Sequence, residues 1–186
     1  MADLYVALLH HPVLDRHGEV VTTALTNIDV HDIARSCRTF GVRAFYVVTP
    51  VDAHRALARR VVRHWQSQHG AEFNPSRHDA LERVRLARSL EGVEIDIEKS
   101  SGSVPRQIAT SARSLPNGVG YAEMRETLKS AGPPFLLLLG TGWGLTADLV
   151  ERAQYRLAPI HGVDGYNHLS VRAAAAVLLD RLAGTR

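Results

Sequence analysis

Apolar positions along this chain follow two periods in turn. Short apolar runs bounded by Gly, Pro or polar clusters predict buried strands. Stretches with apolar residues at i, i+3 and i+4 predict amphipathic helices. Residues 4–9 read as an opening strand, with a turn at Asp15-Arg16-His17-Gly18. From Asn27 to about Phe40, the spacing of Ile33, Cys37 and Phe40 predicts a helix, with Asn27 or Asp29 as cap and Gly41 as its stop. Residues 42–49 follow as a strand ended by Pro50. Asp52 then caps a helix carrying Leu57, Val61 and Trp65 on one face. Residues 70–77 read as a loop, and 78–90 as a helix with Leu81, Val84 and Leu90 inward. Residues 93–97 fit a short strand or a loop edge, and 104–111 contain a strand. A loop covers 114–120. A helix at 121–131 is closed by Gly132-Pro133-Pro134. After the strand 135–139, residues 146–153 read as helix, 155–160 as a last strand and 167–183 as an alanine-rich helix. Strands alternating with helices predict an α/β fold, a mostly parallel sheet with helices on both faces. With neither repeat nor low-complexity linker, residues 1–186 read as one domain.

The segment Phe135-Leu136-Leu137-Leu138-Leu139-Gly140-Thr141-Gly142-Trp143-Gly144 is the most informative in the chain. Its apolar half is short and unbroken, as in a strand buried on both faces. Three glycines at alternate positions suit a turn whose backbone comes close to a ligand or to another backbone segment. In open α/β sheets ligands sit at the carboxyl ends of strands, where this turn falls. A dinucleotide fingerprint needs G-x-G-x-x-G after the first strand, and a P-loop needs a lysine after its last glycine. Neither is present, so the segment signals close backbone approach without a nucleotide-phosphate motif.

Composition narrows the classes. The chain has 186 residues, 45% hydrophobic and 22% charged, which is ordinary for a globular protein. No apolar run is long enough for a membrane span. The start Met1-Ala2-Asp3-Leu4 lacks the pattern of a signal peptide, so a cytoplasmic location is expected. The single cysteine, Cys37, excludes an internal disulfide and a cysteine-based zinc site, and its helical spacing makes it a buried apolar residue. No H-E-x-x-H motif occurs among the ten histidines, and no metal is expected. Net charge is only +3, yet Arg55, Arg59, Arg60 and Arg63 share one predicted helix and Arg77, Arg83, Arg85 and Arg88 the next. Such clusters suit either a polyanion or a solvated helix face.

Three segments taken together resemble the SPOUT class of knotted, S-adenosylmethionine-dependent RNA methyltransferases. They are Asn27 with Ile33-Ala34-Arg35, then Leu137-Leu138-Leu139-Gly140-Thr141-Gly142-Trp143-Gly144, then Pro159-Ile160 with Asn167-His168-Leu169-Ser170-Val171-Arg172 and Ala173 to Ala176. The opening Tyr5-Val6-Ala7-Leu8-Leu9-His10-His11-Pro12-Val13 and Gly18-Glu19-Val20-Val21-Thr22-Thr23-Ala24 resemble a stand-alone bacterial group of that class.

The resemblance implies a C-terminal deep trefoil knot and a homodimer. It implies S-adenosylmethionine held by three loops: one after Ser111, one formed by Leu139, Gly140, Thr141 and Gly142, and one carrying Ile160, Gly165, Tyr166, Asn167 and Leu169. It further implies an RNA substrate, with ribose slightly favoured over base, and catalytic roles for Arg35 and Asn27. Arg35 either orients a phosphate or stabilises oxyanion charge, since a guanidinium is too weak an acid to act as base. Otherwise it is a surface arginine paired with Asp32. Asn27, Asn167 and Ser170 equally suit helix caps, and capping is the preferred reading for Ser170. Trp143 is either a base-stacking residue or core, and His168 either a substrate contact or a loop residue. The alanine run predicts close packing of the last helix.

Overall fold

The computed structural model describes residues 2–185. In chain order the elements are β1 (Leu4–Leu9), β2 (Val13–Leu14), β3 (Val20–Val21), α1 (Asn27–Thr39), β4 (Phe45–Val48), α2 (Asp52–Gln66), α3 (Gln68–Phe73), α4 (Pro75–Leu81), β5 (Val84–Ala87), α5 (Leu90–Ser101), β6 (Arg106–Ala109), α6 (Tyr121–Lys129), β7 (Phe135–Gly140), α7 (Ala147–Arg152), β8 (Tyr155–Arg156) and α8 (Val171–Ala183).

Six strands form one sheet in the order β5-β4-β1-β7-β6-β8, and every neighbouring pair is parallel. The most apolar strands, β1 and β7, occupy the middle, where both faces are covered. Alternate residues then feed two cores. Val6, Leu8, Val47, Leu137 and Leu139 pack with residues of α1, α2, α4, α6 and α8. Ala7, Leu9, Val48, Leu136 and Leu138 pack on the other face with α5 and α7. The β1–β7 register sets Leu9 opposite Gly140, so the end of the first strand and the glycine turn emerge side by side.

Several elements differ from the pattern reading. Residues 78–90 are not one helix: α4 ends at Leu81, and Val84–Ala87 is an edge strand paired with β4. Leu81 and Val84 share an i, i+3 spacing that fits a helix, but Val84-Arg85-Leu86-Ala87 also fits a strand, and pairing with β4 decides. Residues 70–77, read as loop, belong largely to α3 and α4, each capped by a side chain, Ser67 and Asn74. The alternation Val93-Glu94-Ile95-Asp96-Ile97 looks strand-like, yet it lies in α5. Val93 and Ile97 (i, i+4) are buried and Ile95 is 50% exposed. On α2 the buried face carries Arg55, Ala58 and Val62, while Leu57 points outward. Strand β4 covers only 45–48, the last strand only 155–156, and α8 begins at Val171. The caps resolve too. Thr26, not Asn27, caps α1 and accepts from the Asp29 N–H, and Asp52 is the first residue of α2 and not its cap. Ser170 caps α8 as expected, accepting from the Ala173 N–H.

The segment before the last helix is tied by backbone hydrogen bonds to two other stretches of the chain. The Leu157 N–H donates to Ala109 O at 2.9 Å, and the Ala158 N–H to Val119 O at 2.9 Å. From the other side the Val119 N–H donates to Arg156 O at 2.7 Å. Residues 156–158 therefore lie between the end of β6 and residue 119. Beyond the loop, α8 packs against α1 and α6. Of its alanine run only Ala175 is fully buried, on the face shared with Leu178, Leu179 and Leu182.

Leu137 is wholly buried between β1 and β6. Replacing it with Ala is expected to cost about 2–5 kcal/mol of stability in urea unfolding, the usual range for a buried leucine truncation. A loss below about 1 kcal/mol, well short of that range, would contradict the packing described.

Candidate active site

The glycine turn is shaped by other backbone. The Trp143 N–H donates to Leu14 O at 2.8 Å, and the Leu14 N–H to Gly144 O at 2.9 Å. Gly142 has φ +60°, and a Cβ there would sit 2.8 Å from Leu14 O. The turn is thus stitched to β2, and its close approach is to the chain itself. Trp143 is pushed outward and is 59% exposed, so it is not core.

A directional hydrogen-bond chain supports the turn from below. The Thr141 hydroxyl donates to Leu9 O (2.9 Å). Its proton is thereby used, so the Thr23 hydroxyl donates to it (2.5 Å). Thr23 in turn accepts from His10 Nδ1 (3.1 Å), which fixes that nitrogen as the protonated one. His10 is completely buried, and its Nε2 has no partner. Burial first, and the nearby His54 second, lower its pKa from 6.5 to about 4. The imidazole is therefore neutral at pH 7.

Above the turn opens a cleft of about 800 Å³, within the range typical of small-molecule sites. Three stretches of backbone wall it: 110–113 after β6, 139–144 after β7, and 158–174 leading into α8. Asn167 Nδ2 donates to Ala112 O and ties the first wall to the third. Ser111, Leu139, Gly140, Thr141, Gly142, Ile160, Asn167 and Leu169 all line this cleft, as does His168. Gly165 and Tyr166 do not. Gly165 ends an exposed 3-10 turn, Val163–Gly165, and Tyr166 follows it, stacked edge-on with His168. Gly162 holds that turn closed, since a Cβ there would lie 1.7 Å from Tyr166 O.

Sequence reasoning missed Thr23, Arg113 and the Asp29–Arg172 pair of this cleft. The pair joins α1 to α8 at 3.3 Å, and Arg172 also reaches Asp32 at 3.6 Å. Asp32 is thus bound to Arg172 and not to Arg35. A charged residue at the first turn of each of two helices was the available signal.

Asn27 and Arg35 lie elsewhere. They line a second cleft of about 720 Å³ between α1, α2 and α4, together with His31, Trp65 and Arg77. The two clefts share no lining residue and flank α1, with Asp29 on one side and Arg35 on the other. Within one chain Arg35 is therefore not brought to the glycine turn.

Residues 3–184 match the sequence profile of a family described as SAM-dependent RNA methyltransferase, SAM being S-adenosylmethionine. The chain belongs to that family. An uncharacterized protein of Aquifex aeolicus is 41% identical over 97% of this chain and 88% of its own length. A tRNA (guanine-N(1)-)-methyltransferase of Oleidesulfovibrio alaskensis is 43% identical over 98% of this chain, which spans only 42% of that longer protein. Among solved structures, the Aquifex aeolicus TrmH/SpoU tRNA modifying enzyme superposes with a TM-score of 0.55 at 16% identity, covering 98% of this chain and 75% of that one. The enzyme thus has the SPOUT type of α/β fold. Among its described residues no helix is long and apolar enough to cross a membrane, and no group of three or more His, Cys, Asp or Glu side chains could hold a metal ion.

The neutral His10 makes a pH prediction. Its folded pKa lies below the unfolded value, so the unfolded chain binds more protons between pH 6.5 and 4. Stability therefore falls as pH is lowered through that window, by up to roughly 3 kcal/mol from His10. His31, also held low by burial and then by Arg77, adds to the fall. In urea unfolding across that pH range, His10→Gln is expected to show a shallower slope than wild type. Equal slopes would contradict the assignment.

Proposed function

We propose that the 800 Å³ cleft binds S-adenosylmethionine and that the enzyme methylates RNA, at a ribose 2′-hydroxyl in preference to a base. The observation that carries this reading is the convergence of three backbone loops on one cleft at the carboxyl ends of β6 and β7, in a chain of this family. The residues present fit the ligand. Leu139, Ile160 and Leu169 offer an apolar slot for an adenine. Ser111, Thr141, Asn167 and the glycine backbone offer hydrogen bonds, and Asp29, Arg113 and Arg172 supply both signs of charge for an amino-acid end. Gly165 and Tyr166, although outside the cleft wall, shape its mouth through Gly162 and His168. The pairing of residues 156–158 with Ala109 and Val119, at either end of the loop after β6, supports a threaded, knotted chain, and the whole chain reads as one domain.

S-adenosylmethionine supplies an electrophilic methyl group on its sulfonium. The protein must place the acceptor in line with it and help the hydroxyl lose its proton. Arg35 does so as a fixed positive charge beside the developing oxyanion or the neighbouring phosphate. No carboxylate lies within ion-pair distance of it among the described residues. Asn27, in the first turn of the same helix, positions the nucleotide. Because Arg35 and the cofactor cleft are separate within a chain, a homodimer that sets the Arg35 cleft of one copy against the cofactor cleft of another completes the site.

Calorimetry tests the first step. Micromolar binding of S-adenosylmethionine is expected for wild type and its loss for Gly142→Val, whereas no binding by wild type at hundreds of micromolar contradicts the reading. Transfer of labelled methyl to RNA from a strain lacking the protein tests the second. Arg35→Ala is expected to lower the transfer rate about 10²- to 10³-fold, the usual effect of removing one transition-state donor, with unchanged cofactor affinity. A mixture of Arg35→Ala and Gly142→Val chains should regain activity that neither has alone. Methylation mapped to a guanine base would replace the ribose assignment.

A further inference from the structure

The second cleft holds more than Arg35. Trp65 stands at its wall with the Arg77 guanidinium 4.7 Å over its ring and the His31 imidazole edge-on at 5.9 Å. Neither Arg35 nor Arg77 has an ion-pair partner among the described residues, and the one carboxylate of the wall, Asp32, is turned to Arg172. Two buried nitrogens, Arg77 Nε and His31 Nδ1, have no hydrogen-bond partner. The cleft also opens at the first turn of the 13-residue α1, where Asn27 and Ile28 line it. Unpaired cations, unsatisfied buried nitrogens and a guanidinium over an indole ring at one place match a group that is both anionic and planar.

A nucleotide has those two properties. A phosphate satisfies cations and a helix N-terminus. A base stacks on an indole or on a guanidinium plane without regard to its identity. A protein partner offers no reason for this combination. The position fits as well, since the homodimer proposed above sets this cleft against the cofactor cleft of another copy, so that a strand lying in it leads to the methyl group.

We propose that the α1–α2–α4 cleft is an RNA-strand subsite, in which Trp65 and Arg77 stack a base while Arg35, Arg77 and the first turn of α1 hold successive phosphates of the strand. The inference rests on the RNA-methyltransferase reading above. Trp65, His31 and Arg77 then contribute strand binding, and Arg35 links that binding to chemistry.

The two tryptophans of the chain lie on different clefts, Trp143 on the cofactor cleft and Trp65 on this one. Fluorotryptophan-labelled protein, with resonances assigned by Trp65→Phe, reports on both by fluorine NMR. The probe is a mixed-sequence single-stranded RNA oligomer whose binding is followed in parallel by anisotropy. RNA is expected to move the Trp65 resonance, and S-adenosylmethionine the Trp143 resonance only. Trp65→Leu is expected to weaken RNA binding about 5- to 150-fold, the range for one lost base stack, with cofactor affinity unchanged. Arg77→Gln should reduce the salt slope of binding by about 1. RNA that binds without moving Trp65 overturns the subsite and leaves the methyltransferase reading standing. RNA that does not bind overturns both. A cofactor that moves neither tryptophan and gives no calorimetric heat overturns the methyltransferase reading, and with it Arg35's part in the chemistry, whereas RNA that still moves Trp65 supports the strand contact by itself.

Discussion

The structure depends on three hydrogen bonds that hold residues 156–158 between Ala109 and Val119. They fix the chain after β8 beside both ends of the loop after β6, and Ala158, Ile160 and residues 167–170 then line the cleft at the glycine turn. Three loops distant in sequence are thereby made into the walls of one cleft. Backbone that must satisfy its own donors and acceptors has little freedom to open, and a cleft built from it is pre-organised for a ligand recognised mostly through backbone groups.

The same logic explains the glycines. Gly142 is required because Leu14 O passes where a side chain would be, and Gly162 because Tyr166 O does. The turn after β7 is thus pinned from β2 by main-chain bonds and from β1 by the His10–Thr23–Thr141 chain. A neutral, single-tautomer histidine under the turn keeps every proton of that chain pointing one way.

Where the sequence was legible, burial was symmetrical or the punctuation strong. The run Leu136–Leu139 can only be a central strand, and Asn27-to-Gly41 carries both periodicity and stop. The glycine turn and the 159–176 segment were joined into one site by their resemblance to a family's motifs, and in the structure both line the same cleft. The errors fell where two periods fit equally. Leu81 and Val84 obey a helical spacing although the one ends α4 and the other begins β5. Val93, Ile95 and Ile97 obey a strand spacing although Ser89 and Gly102 cap a helix around them. Pairing partners decide such cases, and they are distant in sequence. The placement of Asn27 and Arg35 could not be read at all, because a helical wheel does not say that α1 separates two clefts.

The central claim is that residues 110–113, 139–144 and 158–170 act as one ligand-binding unit. Hydrogen exchange of their amides, measured with and without S-adenosylmethionine, tests it most directly. All three segments are expected to gain protection together while the Trp65 cleft does not. Protection confined to one segment, or absent from all three, would contradict it.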